Sequence, residues 1–105
     1  MIVRQWKTTF DESRKTELVA YANEVSLPTL STRPGCVGVA FLSSGNRWIT
    51  QTIWRNQASI DALAEDKDYD RIVDGILTLG LLGDCQTTSI FSYEGGTALS
   101  QPDIH

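Results

Sequence analysis

Apolar and polar positions alternate along Ile2–Phe10 and Trp48–Trp54, the mark of half-buried strands, while the stretches between them repeat at helical spacing. In the first run Ile2, Arg4 and Trp6 share one face and Val3, Gln5 and Lys7 the other. Neither face is wholly polar, so both are expected to be covered. Asp11 is placed to cap a helix, with Glu12 at the positive end of its dipole. From Ser13, Leu18, Tyr21, Ala22 and Val25 recur at helical spacing, with Lys15, Glu17 and Glu24 mostly off that stripe. Pro28 lacks an N–H and crowds the preceding turn, so the helix is expected to end or kink there, a short continuation through Leu30 staying open. Arg33-Pro34-Gly35 turns the chain into a small, apolar strand, Cys36–Leu42, in which Gly38 and Ala40 leave room for a close neighbour. Ser43–Asn46 is turn chemistry. In the next strand Trp48, Thr50, Thr52 and Trp54 alternate against Ile49, Gln51 and Ile53, completing a hairpin. Asn56 can cap a helix carrying Ile60, Leu63 and Ala64, and Asp66 a second segment with its stripe at Tyr69, Ile72, Val73, Ile76 and Leu77. Gly80 and Gly83 bracket the end of that segment, and Thr87–Tyr93 reads as a last strand.

The order β-α-β-β-α-β predicts an α+β, ferredoxin-like fold: a four-stranded antiparallel sheet, strand order 4-1-3-2, with helices on one face. The domain spans 1–94, and the tail, 95–105, is expected to be flexible. The sheet face away from the helices is too apolar for water. Covering it is worth roughly 25 cal/mol per Å² of apolar area, so a homodimer is expected.

Composition narrows the function. The chain has 105 residues, enough for one core, and a net charge of −4 with no basic run, which argues against a nucleic-acid partner. No apolar run approaches the ~20 residues that span a bilayer, and MIVRQWKTTF lacks the apolar core of a secretory signal. No membrane partner and a cytoplasmic location are therefore expected. The single histidine is His105, and Cys36 and Cys85 lie far apart without a CxxC, so no Cys/His metal site is expected. Both thiols are expected to be free and buried or half-buried. On the opposite edge strands they would sit roughly 14 Å apart, beyond the ~7 Å a disulfide allows. The acidic cluster Glu65, Asp66, Asp68, Asp70 and Asp74 lacks EF-hand spacing and reads as a solvated, cap-forming face. No Ser-His-Asp or Cys-His pair is available inside the chain, and no glycine loop resembles a phosphate cradle.

Three segments, RPGCVG, TIWRNQASIDAL and EDKDYDRIV, resemble the antibiotic biosynthesis monooxygenase family, and the resemblance extends over Met1 to Glu94. It implies pairing into a dimeric α/β barrel. Members of that family oxidise aromatic polyketides or quinols without metal or flavin, degrade haem, or isomerise small signal molecules. In the cofactor-free reaction the deprotonated substrate donates an electron to oxygen, and the protein supplies a shaped, dry pocket. The haem-degrading branch carries an Asn, a Trp and a His near the positions of Lys7, Leu63 and Val73 here; none of the three is present.

The resemblance thus implies a cofactor-independent monooxygenase acting on a small aromatic, polyketide or quinol-like substrate, with no cofactor and no metal. A non-catalytic small-molecule binder or sensor on the same scaffold is the alternative, and a dimer with a filled interior a third. An open cavity of a few hundred Å³ would favour the first two. No catalytic residue is assigned. The pocket candidates are Arg4, Trp6, Trp48, Trp54 and Tyr69. Arg4 either stabilises a phenolate or pairs with a carboxylate across the dimer. Trp6 and Trp48 offer indole N–H groups. Trp54 also reads as cover for the second helix, and Tyr69 as core.

Overall fold

The computed structural model describes residues 1–96, and the described chain builds a four-stranded antiparallel sheet with helices on one face. The strands are β1 (Ile2–Thr9), β2 (Cys36–Ser44), β3 (Arg47–Trp54) and β4 (Thr87–Ser92), in the spatial order β2-β3-β1-β4. This is the order the sequence predicts. Gly45 takes φ +58° in the two-residue turn between Ser44 and Arg47, a backbone shape that glycine adopts without a Cβ penalty.

Register settles which parity faces the helices. Arg4, Trp6 and Thr8 pair with Thr52, Thr50 and Trp48, and these residues face the helical layer. The opposite parity carries Val3, Gln5, Lys7, Ile49 and Gln51. A bulge between Cys36 and Gly38 resets the alternation of β2, so Val39 and Phe41 fall beside Thr52 and Thr50. Gly38 and Ala40 thereby lie on the face away from the helices.

The first segment of the helical layer is α1 (Lys15–Tyr21), a π-turn (Ala22–Ser26) and α2 (Leu27–Ser31), run together without a break. The helix runs past Pro28 and ends at Ser31, the short continuation through Leu30 that the sequence left open. The chain widens first: the Leu27 N–H donates to the Ala22 carbonyl five residues back, and Pro28 enters in the first turn of α2, where its missing N–H costs little. The second helical segment of that layer is α3 (Gln57–Asp61), a 3₁₀ turn (Ala62–Glu65) and α4 (Lys67–Thr78). The caps read from the sequence are made: Asp11 accepts from the Ser13 N–H, Asn56 from Ser59, and Asp66 from Asp68 and Tyr69. The last strand ends at Ser92, one residue earlier than expected.

Between sheet and helices Phe10, Leu18, Ala22, Trp48, Ile76 and Leu81 form one buried cluster. Trp48 sits at its centre, edge-on to Phe10 at 6.1 Å and stacked on Phe41 at 5.8 Å. A fully buried Leu such as Leu18 is worth roughly 1.5–3 kcal/mol. Leu81 is held over the end of this core by backbone bonds, its carbonyl accepting from Asp11 N–H at 2.8 Å.

Both cysteines are free thiols. Cys36 is half-buried, and that burial pushes its thiol pKa up; Cys85, against expectation, is exposed. It lies in the loop before β4, where no helix covers it. Most of the tail expected to be flexible, 97–105 with His105, lies outside the described residues.

Candidate functional site

The cluster does not fill the whole interlayer space. Towards β1, β3 and α4 the layers enclose an open pocket of about 310 Å³, at the small end of the ~300–1,000 Å³ usual for ligand sites. Arg4 and Trp6 of β1 and Thr50 and Thr52 of β3 form its sheet wall. Tyr69, Ile72, Val73 and Ile76 form the opposite wall on α4, with Ser26 of the π-turn and Leu30 at one side. Asp70 and Gln86 stand exposed at its rim.

Three of the sequence candidates meet here. Arg4, Trp6 and Tyr69 all line this pocket, and the Arg4 guanidinium lies 6.0 Å from the centre of the Tyr69 ring. That contact holds the cation over an aromatic face. Among the described residues Arg4 makes no ion pair, and the other arginines that do, Arg14, Arg33 and Arg71, are elsewhere. The Trp6 indole N–H, the Tyr69 hydroxyl and the Arg4 guanidinium have no hydrogen-bond partner among the described residues. The pocket therefore presents several donors and a positive charge beside the apolar side chains of Leu30, Ile72, Val73 and Ile76.

The other two indoles do not reach it directly. Trp48 is in the core cluster, and Trp54 is wholly buried. Each donates its N–H to a threonine two residues along the same strand face, Trp48 to Thr50 Oγ1 at 3.0 Å and Trp54 to Thr52 Oγ1 at 2.7 Å. Those threonines do line the pocket, and sequence reasoning passed over them, as it did Ser26. The signal was present in Trp48-Ile49-Thr50-Gln51-Thr52-Ile53-Trp54, whose four even positions share a face. Its meaning depended on knowing which face met the helices.

The α4 wall is fixed at two points. Asp66 caps the helix and takes the Arg33 guanidinium at 2.9 Å, which holds its carboxyl below the usual range; the bonds from Arg33 and from the Tyr69 N–H are the main causes. On the far side the Tyr21 hydroxyl donates to the Ile72 carbonyl at 2.7 Å, and burial pushes that phenol's pKa up. Among the described residues no three His, Cys, Asp or Glu side chains gather as a metal site, and no helix is long and apolar enough to cross a membrane.

The architecture has close counterparts among solved structures. A monooxygenase of Streptomyces coelicolor from the gene ActVA-Orf6, solved with the ligand nanaomycin D, superposes with a TM-score of 0.79 at 14% identity, over 90% of this chain and 88% of that one. The chain shares the α+β, ferredoxin-like fold of that monooxygenase. A variant of SnoaB, a cofactor-independent oxygenase from Streptomyces nogalater, matches this fold at TM-score 0.69 and 10% identity, over 92% of this chain and 96% of that one. A Nitrosomonas europaea protein of unknown function matches it equally well, at TM-score 0.72 and 10% identity, with 90% of each chain covered. Neither a protein-family model nor a curated protein matches the sequence. At such identities the monooxygenase likeness is one of fold, so activity must be argued from the pocket.

Proposed function

We propose that the protein is a cofactor-independent monooxygenase that oxidises a small aromatic, polyketide or quinol-like substrate in the pocket between sheet and α4. The observation that carries this reading is the Arg4 guanidinium, free of any ion pair among the described residues and set beside Trp6 and Tyr69 in a pocket of about 310 Å³. A cation so placed lowers the energy of a bound phenolate, and the phenolate is the species that gives an electron to oxygen. The substrate then loses two hydrogens and gains one oxygen atom, while the second oxygen atom leaves as water. No external reductant is required. Two oxygenases with this fold, those of S. coelicolor and S. nogalater, support the reading by analogy.

The working unit we propose is a cytoplasmic homodimer. The sheet face away from the helices carries Val3, Ile49, Leu42 and Phe91, and Leu42 and Phe91 are each 46% exposed in one chain. A second copy placed face to face removes that area from water. The free thiols Cys36 and Cys85 suit a reducing compartment.

Oxygen uptake by chelator-treated protein over a panel of hydroquinones and phenolic polyketides, against the autoxidation blank, tests the reading. Protein-dependent uptake that survives chelation is expected, with Arg4→Ala lowering kcat/KM roughly 10- to 100-fold, the worth of a hydrogen bond to a charged group. The second reading, a binder or sensor, is favoured by the absence of a histidine base from the described pocket lining. Saturable ligand binding without uptake across the panel would select it.

A further inference from the structure

The pocket also holds hydroxyl groups, from Ser26, Thr50 and Thr52. Thr52 is 2% exposed and Ser26 is 7% exposed, yet both border the cavity. A threonine hydroxyl has one hydrogen to donate and two lone pairs to accept with. In Thr50 and Thr52 a lone pair is occupied by an indole N–H, from Trp48 and Trp54 respectively. Among the described residues neither hydroxyl hydrogen has an acceptor, and the Ser26 hydroxyl has no partner at all. Each of these hydroxyls borders the cavity, so a ligand there can supply the acceptor.

We propose that Thr50 and Thr52 are substrate-binding residues, a pair of donors fixed by Trp48 and Trp54, that select a ligand presenting two acceptor oxygens. This deepens the proposed function and rests on it only for the choice of pocket. Each indole takes one lone pair of its threonine and leaves the hydrogen free to donate, and a hydroxyl that accepts a hydrogen bond becomes a better donor through mutual polarisation. With Arg4 and the Trp6 N–H, which can only donate, the wall recognises carbonyl and phenolate oxygens in preference to neutral hydroxyls. The two threonines are two residues apart on one strand face, roughly 6.6 Å. That spacing suits oxygens on opposite sides of a six-membered ring and is too wide for oxygens on neighbouring carbons. Trp48 and Trp54 are positioning residues in this scheme: they touch the threonines and leave the ligand to them. Ser26 faces the same space from the π-turn, as a third hydroxyl able to donate or accept.

The test uses 4-nitrophenolate, an anion with acceptors at both ends of the ring and no reaction with oxygen. Its dissociation constant and the pKa of the bound phenol are measured by visible absorbance on the full chain. Binding is expected with the bound pKa below that of the free phenol. Thr50→Val and Thr52→Val, which keep side-chain shape, should each weaken binding roughly tenfold and raise the bound pKa. Thr52→Ser should restore both. Trp54→Phe keeps an aromatic ring while removing the N–H, and should raise the bound pKa, a change that packing alone would not cause. No binding by the parent protein, or a bound pKa and affinity unchanged in folded Thr50→Val and Thr52→Val, would overturn the proposal. Threonine-dependent binding without oxygen uptake would leave this site standing and remove the oxygenase. Uptake indifferent to both threonines would do the reverse.

Discussion

Tyr21 and Gly75 show how far one atom can matter on the helical side of the pocket. The Tyr21 hydroxyl reaches the Ile72 carbonyl only because Gly75, one turn along α4, has no side chain; a Cβ there would collide with that hydroxyl. Alanine would gain up to about 1 kcal/mol of helix propensity at this position. The overlap should outweigh it, so Gly75→Ala is expected to lose about 1–2 kcal/mol net. Removing the hydroxyl removes the first atom the new methyl meets. The same Gly75→Ala change should therefore cost distinctly less in a Tyr21→Phe background, as urea unfolding of the four proteins would measure. An equal cost in both backgrounds would show that the hydroxyl is not what the glycine accommodates. Sequence reading saw Tyr21 as one member of an apolar stripe and could not see its partner, since a contact between two helices leaves no local pattern.

At the scale of elements, α4 carries half the pocket and is held at its start by Asp66. That carboxylate caps the helix through the Asp68 and Tyr69 N–H groups and pairs with Arg33, which closes the loop after α2. Its folded pKa lies below the ordinary 3.8, chiefly because of the Arg33 bond. A depressed carboxyl contributes stability that is complete above the unfolded value and is lost as pH falls through the folded one. Asp66→Asn keeps a capping oxygen but loses the charge. Unfolding at pH 7 should show the variant less stable than the parent, with the gap closing as pH falls below 3.8. A gap that persists unchanged in acid would mean the charge is not the source. The cap itself was legible in the sequence because it is a local device. The Arg33 partner was not, because it comes from 33 residues away.

For the whole molecule the open question is what lies against the second sheet face. Phe91 of the edge strand β4 pairs with Val3 on that face and stays 46% exposed. If a second copy covers it, light scattering should give twice the chain mass for the parent protein. Phe91→Glu, which sets a charge in the middle of the contact, should give a monomer with its circular dichroism retained. A parent protein that remains monomeric at high concentration would remove the dimer.

Periodicity and end signals determined the element order, the three helix caps and the hairpin, because each rests on residues near one another in sequence, and the strand order followed from the β-α-β-β-α-β topology. They also placed Arg4, Trp6 and Tyr69 among the pocket residues to be weighed. Tertiary structure decided what local pattern cannot carry. It chose the even-numbered face of β1 and β3 for the helices, a choice that a period of two leaves open. It carried the first helix past Pro28 by a π-turn that sets the proline in the first turn of α2, where its missing N–H costs little. By the same choice of face it put Trp48 and Trp54 behind Thr50 and Thr52, so that two indoles conspicuous in the sequence reach the pocket only through the hydroxyls they hold.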